Sequence, residues 1–181
     1  APQDTMDPVD SLIEKLKDSR TTVVATIAPA VRVAIGEEFG FEPGSLLTEK
    51  LYGALKKAGF KILDTNFTAD QTILEEGSEL VAKIRHSLLG EPAAHHLGPL
   101  PQFTSCCPAW IRYIELNHPK LLPNLSSAKS PMMMAGALAK TYGAKEIWKT
   151  APESVYVVGV MPCTAKKFEA SRPEFHSAAA Y

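Results

Sequence analysis

Short apolar runs alternate along the chain with longer segments of helical periodicity. The runs that predict strands are rich in β-branched or apolar residues and bounded by turn-forming residues; they cover 21–27, 60–63, 100–105 and 154–160. The segments that predict helices cover 11–18, 31–39, 45 or 48 to 58, 68 or 70 to 89, 111–116 and 132–142. This alternation favours an α/β fold with a parallel sheet flanked by helices.

The longest predicted helix carries two contrasting sets of side chains. The apolar set, which a helix normally turns toward a core, comprises Ile73, Leu74, Leu80, Val81 and Ile84. The charged set comprises Glu75, Glu76, Glu79 and Lys83. On spacing alone, the charged set is interpreted as a solvated face with one ion pair between residues four positions apart.

Three predicted strands end in unusual turns, each containing proline. These turns are Ala28-Pro29-Ala30, Ser105-Cys106-Cys107-Pro108 and Met161-Pro162-Cys163. In a parallel α/β sheet, ligands bind outside the carboxyl ends of the strands. We therefore predict that the three turns converge on one buried pocket, so that a metal site lies at the carboxyl ends of the strands.

Composition excludes several other classes of function. The 181 residues are 45% hydrophobic and 22% charged, with a net charge of -1, which gives no electrostatic reason to expect nucleic acid as a partner. No apolar run is long enough to span a membrane, and no dinucleotide or phosphate-loop glycine motif is present. The first ten residues lack an apolar signal-peptide core, but a signal already removed would leave no trace, so this absence leaves the compartment open. The cytoplasm is the expected compartment, with the chloroplast and the periplasm as alternatives.

The chain contains only three cysteines, Cys106, Cys107 and Cys163. Their odd number and spacing do not fit a disulfide framework, and they favour thiols or metal-bound thiolates in a reducing compartment. Iron–sulfur clusters are held by thiolates, and a cysteine at a helix N-terminus has its thiolate favoured. The alternative is a set of buried apolar cysteines, but two proline-containing cysteine turns at strand ends favour a site.

Other candidate residues have ordinary explanations on spacing alone. Lys166 is interpreted as a solvated lysine, and the adjacent His95 and His96 as solvated loop residues rather than metal ligands. The methionines at 132–134 and 161 are interpreted as flexible core fillers.

Longer motifs resemble a known enzyme family. Residues 104–110 (TSCCPAW) and 161–169 (MPCTAKKFE) resemble the first two of three signature motifs of the iron-only (FeFe) hydrogenase catalytic domain. Shorter segments at 28–32, 74–80 and 125–131 extend the resemblance over residues 22–175. The resemblance implies reversible hydrogen chemistry, 2H⁺ + 2e⁻ ⇌ H₂, at an H-cluster. This cofactor joins a 4Fe–4S cluster to a two-iron subcluster that carries CO, cyanide and a dithiolate amine.

The resemblance also assigns roles to individual residues. Cys107 and Cys163 would be ligands of the 4Fe–4S cluster, and Cys106 would relay protons to the two-iron subcluster. The implied proton path runs from Cys106 through a water to Glu76, then to Ser126, Glu79 and Lys83. Lys83 would lie near the surface, at a position where many relatives carry arginine.

The remaining residues implied by the resemblance surround the two-iron subcluster. Lys166 would pair with a cyanide ligand, which would give this lysine a buried anion. The residues that would line or close the pocket are Met161, Pro29, Ala30, Ser130, Pro131 and Met132.

The third signature motif of the family supplies two further cysteines, and no cysteine follows Cys163 in this chain. We therefore expect residues 1–20 to be a lead-in segment and 21–181 to be the N-terminal part of the domain. The expected partners are a C-terminal portion or second chain that supplies the two cysteines, an electron carrier such as ferredoxin or flavodoxin, and H₂ and protons.

Three alternatives differ in the metal chemistry that they require. The first is a hydrogenase-like iron–sulfur assembly or sensory protein without H₂ turnover, a group whose members generally lack the relay cysteine. The second is a non-catalytic protein that shares an ordinary iron–sulfur cluster between subunits, and the third is an α/β domain without metal. The presence of Cys106 with Glu76, Ser126 and Glu79 favours the enzyme.

Overall fold

The computed structural model describes residues 7–93 and 97–175. These residues form two compact units. The sheet unit comprises residues 7–64 and 135–162, and the helical unit comprises residues 65–93, 97–134 and 163–175. His95 and His96, the first six residues and residues 176–181 lie outside the described ranges.

The helices of the described chain include every helix that the periodicity predicts, and most of them begin up to three residues earlier. The α-helices are α1 (Pro8–Lys17), α2 (Pro29–Ala34), α3 (Thr48–Lys57), α4 (Thr65–Leu89), α5 (Pro108–Asn117), α6 (Pro131–Leu138) and α7 (Ala165–Ser171). The chain also forms 3₁₀ helices over Ile35–Phe39, Pro119–Asn124 and Pro152–Ser154, and a π-helical segment over Ala139–Trp148.

The sheet unit contains a parallel sheet whose strands are β1 (Thr22–Ile27), β2 (Lys61–Ile62) and β3 (Val155–Val160). The strand order is β2-β1-β3, so β1 lies at the centre. It pairs with β3 along its whole length, from Thr22 opposite Val155 to Ile27 opposite Val160. This arrangement of a parallel sheet with flanking helices confirms the predicted α/β fold.

One predicted strand is wrong. The segment 100–105 is not a strand of the sheet; it belongs to the helical unit and makes a single parallel bridge, between Phe103 and Leu125. Phe103 N donates to Asn124 O, and Ser126 N donates to Phe103 O, both at 2.8 Å. The physical reason is that Pro99 and Pro101 have no N–H to donate to a strand ladder.

The core of the sheet unit follows the alternation of its strands. One cluster of buried residues contains Val24, Val155, Ala139 and Ala144, and the other contains Val23, Ala25 and Phe60. Neighbouring residues of β1 point to opposite faces of the sheet, as a period of two requires. Leu12 and Leu16 of α1 pack against the second cluster, so α1 covers that face.

The interior of the helical unit is polar. Of its described residues, the buried apolar ones are Pro108 and Ile114. The buried polar ones are Thr65, Thr68, Thr72, Lys83, Asn124, Ser126, Ser130 and Glu169. Buried polar groups need partners, and the threonines of α4 meet this requirement with backbone carbonyls. Thr68 Oγ1 donates to Thr65 O at 3.0 Å, and Thr72 Oγ1 donates to Lys129 O at 3.1 Å.

Within the described residues, helix α4 buries part of its polar side. The apolar residues Ile73, Leu74, Leu80, Val81 and Ile84 are all exposed. Thr68, Thr72 and Lys83 are buried, and Glu76 and Glu79 are half-buried. The interpretation of the charged residues as a solvated face is therefore wrong for Glu76, Glu79 and Lys83, because hydrogen bonds and an ion pair make their burial possible. Glu75 is exposed, as predicted.

Helices α5 and α7 contact each other within the helical unit. Arg172, directly after α7, forms an ion pair with Glu115 of α5, with Nη1 2.8 Å from Oε1. Burial raises the pKa of Glu115, but hydrogen bonds from Arg172 and Arg112 outweigh this effect, so the pKa lies below its ordinary value. The ion pair therefore ties the end of the chain after α7 to the helix that follows the double-cysteine turn.

None of the helices in residues 7–93 and 97–175 has both the length and the apolar character needed to cross a membrane.

Candidate metal centre and proton-transfer network

Two of the three predicted turns meet at the carboxyl edge of the sheet. Ala28 N, directly after β1, donates to Val160 O at the end of β3, at 3.0 Å. This contact places the Pro29 turn beside the Met161-Pro162 turn. Ala30 and Pro162 line one cavity of about 260 Å³ with residues of α2 and the 3₁₀ helix after it. Pro29, Ala30 and Met161 thus belong to the sheet unit, and convergence of all three turns stays a prediction.

The double-cysteine turn lies in the helical unit, directly before α5. Cys107 is the residue that caps α5, with φ -99° and ψ 110°, and Pro108 begins the helix. Proline suits this position because the first helical N–H has no partner inside the helix and the proline φ is already helical. The Cys107 side chain is exposed and Cys106 is half-buried.

The Cys163 turn leads into α7. A helix at this point allows Lys166, three residues after Cys163, to return to the same turn. Lys166 N donates to Cys163 O at 3.1 Å, and Lys166 Nζ donates to Cys106 O at 2.9 Å. One lysine therefore joins the turn that carries Cys163 to the turn that carries Cys106 and Cys107. The two cysteine turns are neighbours within the helical unit, as the sequence predicts.

The charge of Lys166 is held by a residue to which the sequence analysis gives no role. Lys166 Nζ lies 2.8 Å from Glu169 Oε2, and the two side chains are 15% and 4% exposed. The interpretation of Lys166 as a solvated lysine is therefore wrong, because the carboxylate and the Cys106 carbonyl replace its water. The signal for Glu169 was its spacing, since residues three apart on a helix face each other.

Glu79 is the centre of a hydrogen-bond network. Its Oε2 accepts from Ser126 Oγ at 2.7 Å, from Ser127 N at 3.0 Å and from Ser127 Oγ at 3.3 Å. Its Oε1 lies 2.8 Å from Lys83 Nζ. Burial raises the pKa of Glu79, but the bonds from Lys83, Ser126 and Ser127 outweigh it and hold the pKa below its ordinary value.

The structure thus brings three residues of the predicted proton path into direct contact, but it corrects the place of one. The sequence analysis expects Lys83 near the surface, whereas its side chain is 0% exposed in this structure. The cause is Gly98: a Cβ at this position would lie 2.0 Å from Pro123 O and 3.6 Å from Lys83 Nζ. The loop therefore packs its backbone directly over the lysine ammonium.

Glu76 faces the double-cysteine turn. Its Oε1 accepts from Ser105 N at 3.0 Å, and its backbone oxygen accepts from Gln102 Nε2 at 2.9 Å. Ser105 Oγ in turn donates to Ala128 O at 2.7 Å. In the described ranges, Glu76 makes no direct hydrogen bond to Cys106 or Ser126, so the predicted water between Glu76 and Cys106 stays a prediction. Sequence reasoning gave no role to Ser105, which directly precedes Cys106, or to Gln102, which lies four residues before it.

The segment 126–132 connects this network to α6. Ser130 is buried, and its Oγ accepts from Met133 N at 3.3 Å, while Pro131 begins α6. Pro131 and Met132 are half-buried. Ala128 N donates to Ser126 Oγ at 3.1 Å, which orients the hydroxyl toward Glu79.

The thiols of Cys107 and Cys163 are suited to be two of the ligands of an iron–sulfur cluster. Cys107 and Cys163 are both free and exposed, on turns that Lys166 joins, and thiolates are the usual ligands of such clusters. Two thiolates are half of the four that a 4Fe–4S cluster uses. Across the described ranges, no group of three or more His, Cys, Asp or Glu side chains is arranged to hold a metal ion.

Comparison with known proteins assigns most of the chain to one family model. Residues 21–180 match the model described as iron only hydrogenase large subunit, C-terminal domain. The Periplasmic [Fe] hydrogenase large subunit of Nitratidesulfovibrio vulgaris is 50% identical over 171 residues, which are 93% of this chain and 38% of that protein.

A solved structure and a second class of relative complete the comparison. The apo FeFe-hydrogenase of Chlamydomonas reinhardtii is 41% identical with a TM-score of 0.83, over 94% of this chain and 41% of that one. Cytosolic iron-sulfur assembly component 3 of Bos taurus is 38% identical over 162 residues, 88% of this chain and 32% of that protein. The chain thus spans less than half the length of these proteins.

Proposed function

Because the chain belongs to the family of the iron-only hydrogenase large subunit, C-terminal domain, we propose that it is the N-terminal part of an FeFe-hydrogenase catalytic domain. The reaction is 2H⁺ + 2e⁻ ⇌ H₂. The observation that carries this proposal is the buried contact of Ser126 Oγ with Glu79 Oε2 at 2.7 Å. A protein that only binds a cluster does not need such a carboxylate–hydroxyl pair, whereas proton reduction needs groups that give and take protons.

The cofactor of this proposal is an H-cluster, with Cys107 and Cys163 as two of the four ligands of its 4Fe–4S cluster. When bound, the H-cluster would supply the redox-active metal centre at which protons, electrons and H₂ interconvert. Two further cysteines come from a C-terminal portion or a second chain, and a carrier such as ferredoxin or flavodoxin exchanges electrons with the assembly.

The residues of this chain supply protons and hold charge. The Cys106 thiol gives and takes a proton at the inner end of the path. Glu76, which faces the double-cysteine turn from α4, is the next acid–base group. Ser126 Oγ donates to Glu79 and has lone pairs with which to accept a proton from the inner side. Each member of this path is both a donor and an acceptor when protonated, as a relay requires.

The lysine between the two cysteine turns has a separate role. Lys166 Nζ is fixed by Glu169 Oε2 and Cys106 O, at 2.8 and 2.9 Å, and its positive charge suits an anionic ligand such as cyanide. Pro29, Ala30 and Met161 of the sheet unit and Ser130, Pro131 and Met132 of the helical unit are the proposed lining of the two-iron subcluster.

A second candidate is an iron–sulfur assembly or sensory protein without H₂ turnover. The observation that favours it is the 38% identity to cytosolic iron-sulfur assembly component 3. Cys106 beside Cys107 favours the enzyme, because this second cysteine is not needed as a ligand if its neighbour binds the cluster.

Infrared spectroscopy of the complete assembly separates the two candidates. Absorption bands of metal-bound CO and cyanide, together with H₂ evolution, are expected for the hydrogenase; an assembly that holds iron and sulfide without those bands is the second candidate. Glu76→Gln is expected to lower turnover by about 10²–10⁴-fold, as for loss of a positioned acid–base group. Glu75→Gln is the matched control, because Glu75 is exposed on the same helix and its loss is expected to leave turnover unchanged.

The cytoplasm stays the predicted compartment, and a relative that is 50% identical carries the word periplasmic in its name. Immunodetection of the protein in separated periplasmic and cytoplasmic fractions of its host tests the prediction.

A further inference from the structure

We propose that Arg32 of α2 is a positioning residue of the proposed cofactor pocket. Its buried guanidinium ties the end of β1 to the residue that follows β2, and this connection fixes the place of the Pro29–Ala30 turn. The inference rests on the proposed function, because Pro29 and Ala30 belong to the proposed lining of the two-iron subcluster.

The turn at 28–30 is bonded to β3 by the main chain. Ile27, the last residue of β1, lies opposite Val160, and Ala28 N donates to Val160 O at 3.0 Å. Pro29 has no N–H group, and its ring fixes φ. The main chain therefore holds the turn toward β3, which is only one of the two strands beside β1.

Arg32 supplies the connection toward the other neighbour, β2. Ala25 of β1 lies opposite Ile62 of β2, so Asp64, two residues after β2, follows at the level of Ile27. Arg32 Nη2 donates to Asp64 Oδ1 at 2.5 Å and to Ile27 O at 3.4 Å. This nitrogen carries two N–H groups, one for each acceptor. The helix that directly follows the turn is thus tied back to the ends of two strands.

The packing around Arg32 leaves its guanidinium in one place. The residue is 6% exposed, and Cζ lies 5.4 Å from the centre of the Tyr52 ring on α3, within reach of a cation–π contact. Arg32 O accepts from Leu47 N at 3.0 Å, which also fixes the main chain of α2. Burial and the negative charge of Asp64 raise the pKa of Tyr52 above its ordinary value, with Arg32 opposing them.

Stability alone does not account for an arginine at this position. Among the described residues, Arg32 Nε is buried without a hydrogen-bond partner, and an unsatisfied buried donor costs free energy. An apolar pair in place of a buried ion pair is often neutral or stabilising. An apolar side chain cannot bond to Ile27 O and Asp64 Oδ1, however. Arg32 therefore contributes position to the turn more than it contributes stability to the fold.

The experiment uses the complete hydrogenase assembly and compares Arg32→Met, which removes both hydrogen bonds, with Arg32→Lys. Arg20→Met is the matched control, because it breaks an ion pair with Asp18 that lies at the surface of the same unit. Three quantities are measured: the infrared bands of metal-bound cyanide and CO, the deuterium exchange of the amides in the peptide 28–34, and the urea midpoint.

Loss of the guanidinium is expected to change the turn and spare the rest of the fold. Arg32→Met is expected to shift and broaden the cyanide bands. Its amide exchange at 28–34 is expected to rise about tenfold or more, since a hydrogen bond to a charged group contributes at least that factor. Its urea midpoint is expected to stay near that of Arg20→Met. Arg32→Lys keeps the charge but loses the planar fork, so its bands and exchange are expected to be intermediate.

Either of two results overturns the proposal. One is an Arg32→Met assembly with the cyanide bands and the 28–34 exchange of the wild type. The other is an Arg32→Met assembly in which every peptide of the sheet unit exchanges faster to the same extent, because Arg32 would then only stabilise the fold. If Arg32→Met does not assemble, Asp64→Asn takes its place, since it keeps an acceptor oxygen but removes the charge. The proposed function fails separately, if the wild-type assembly lacks CO and cyanide bands; the exchange at 28–34 still tests the role of Arg32 in that case.

Discussion

The two units of the chain solve the problem of burial in opposite ways. In the sheet unit, Val24, Ile27 and Val155 fill an apolar interior around three parallel strands. In the helical unit, most of the buried residues in the described ranges are polar, and each needs a specific partner. An apolar core tolerates any neighbour of about the right shape, whereas a polar interior requires matched donors and acceptors. The difference indicates that the sheet unit is built for stability and the helical unit for chemistry.

The largest effect is expected from a substitution that breaks the ion pair of Glu79 with Lys83 in the helical unit. Glu79→Ala leaves the buried Lys83 without its counter-charge, and removal of one partner of a buried pair costs about 3–5 kcal/mol. We expect the urea midpoint to fall accordingly. Replacing both partners, Glu79→Leu with Lys83→Met, is the control, because an apolar pair of similar size is often neutral or stabilising. A double variant as unstable as Glu79→Ala would contradict this explanation.

The matching change in the sheet unit is Ile27→Ala. Ile27 is fully buried at the end of β1, and truncation of a buried isoleucine to alanine costs about 2–5 kcal/mol through lost burial and a cavity. Val33→Ala is the control, since Val33 is exposed on α2 and surface changes cost about 0.5 kcal/mol or less. Chemical denaturation measures both variants. Equal costs for the two would mean that the strand end is not part of the core.

A smaller effect is expected at Ser126. Ser126→Ala removes the 2.7 Å hydrogen bond to Glu79, and a hydrogen bond to a charged group contributes about 1.5–3 kcal/mol. The pKa of Glu79 is expected to rise, because the bond from Ser126 is one of the causes that lower it. Infrared titration of the carboxyl group measures this change. Ser127→Ala, whose hydroxyl makes a longer contact at 3.3 Å, is expected to raise the pKa less.

The ion pair of Glu79 with Lys83 predicts how stability depends on pH. Since the pKa of Glu79 is lower in the folded protein than its ordinary value of 4.5, the unfolded chain binds more protons in the acidic range. The contribution of Glu79 to stability is therefore fully present above the unfolded pKa and is lost as the pH falls through the folded pKa. The difference in urea midpoint between wild type and Glu79→Gln is expected to shrink over this range. A difference that is constant with pH would show that the carboxylate charge contributes nothing.

The smallest effect is expected on the apolar side of α4. Leu88 is 70% exposed, so Leu88→Ser is expected to change the stability of the described fold by about 0.5 kcal/mol or less. Denaturation of this variant beside Thr72→Ala sharpens the comparison, because Thr72 lies on the buried side of the same helix and bonds Lys129 O. A larger loss at Leu88 than at Thr72 would reverse the assignment of the two sides.

The sequence predicts the sheet unit better than the helical unit, for a physical reason. Periodicity reports which side chains avoid water, so the strands at 22–27 and 155–160 and their helices are predicted closely. It cannot report that Thr72 is buried, because the hydroxyl of Thr72 donates to Lys129 O in a distant segment. The false strand at 100–105 arises in the same way, since its apolar residues resemble a strand but its prolines cannot complete a ladder.

In the candidate site, too, some features can be predicted from the sequence and others cannot. The cysteine turns are predictable from the sequence, because Cys107 and Cys163 each lie beside a proline where an apolar run meets a helix. The partner of Glu76 is not predictable in this way, since the hydrogen bond from Ser105 N to Glu76 Oε1 joins segments that are distant in sequence. The packing of Gly98 over Lys83 cannot be predicted from the sequence either, because it depends on contact with the backbone of Pro123.

The hydrogen bond from Lys166 to Cys106 also has a consequence for chain entropy. Cys107 and Cys163 are 56 residues apart in sequence, and closing a flexible loop of that length costs roughly 3–4 kcal/mol from its length-dependent part. The contacts of Lys166 and the ion pair of Arg172 with Glu115 meet this cost within the fold. The protein itself therefore joins the two cysteine turns, and a group that binds both turns does not have to order the chain between them.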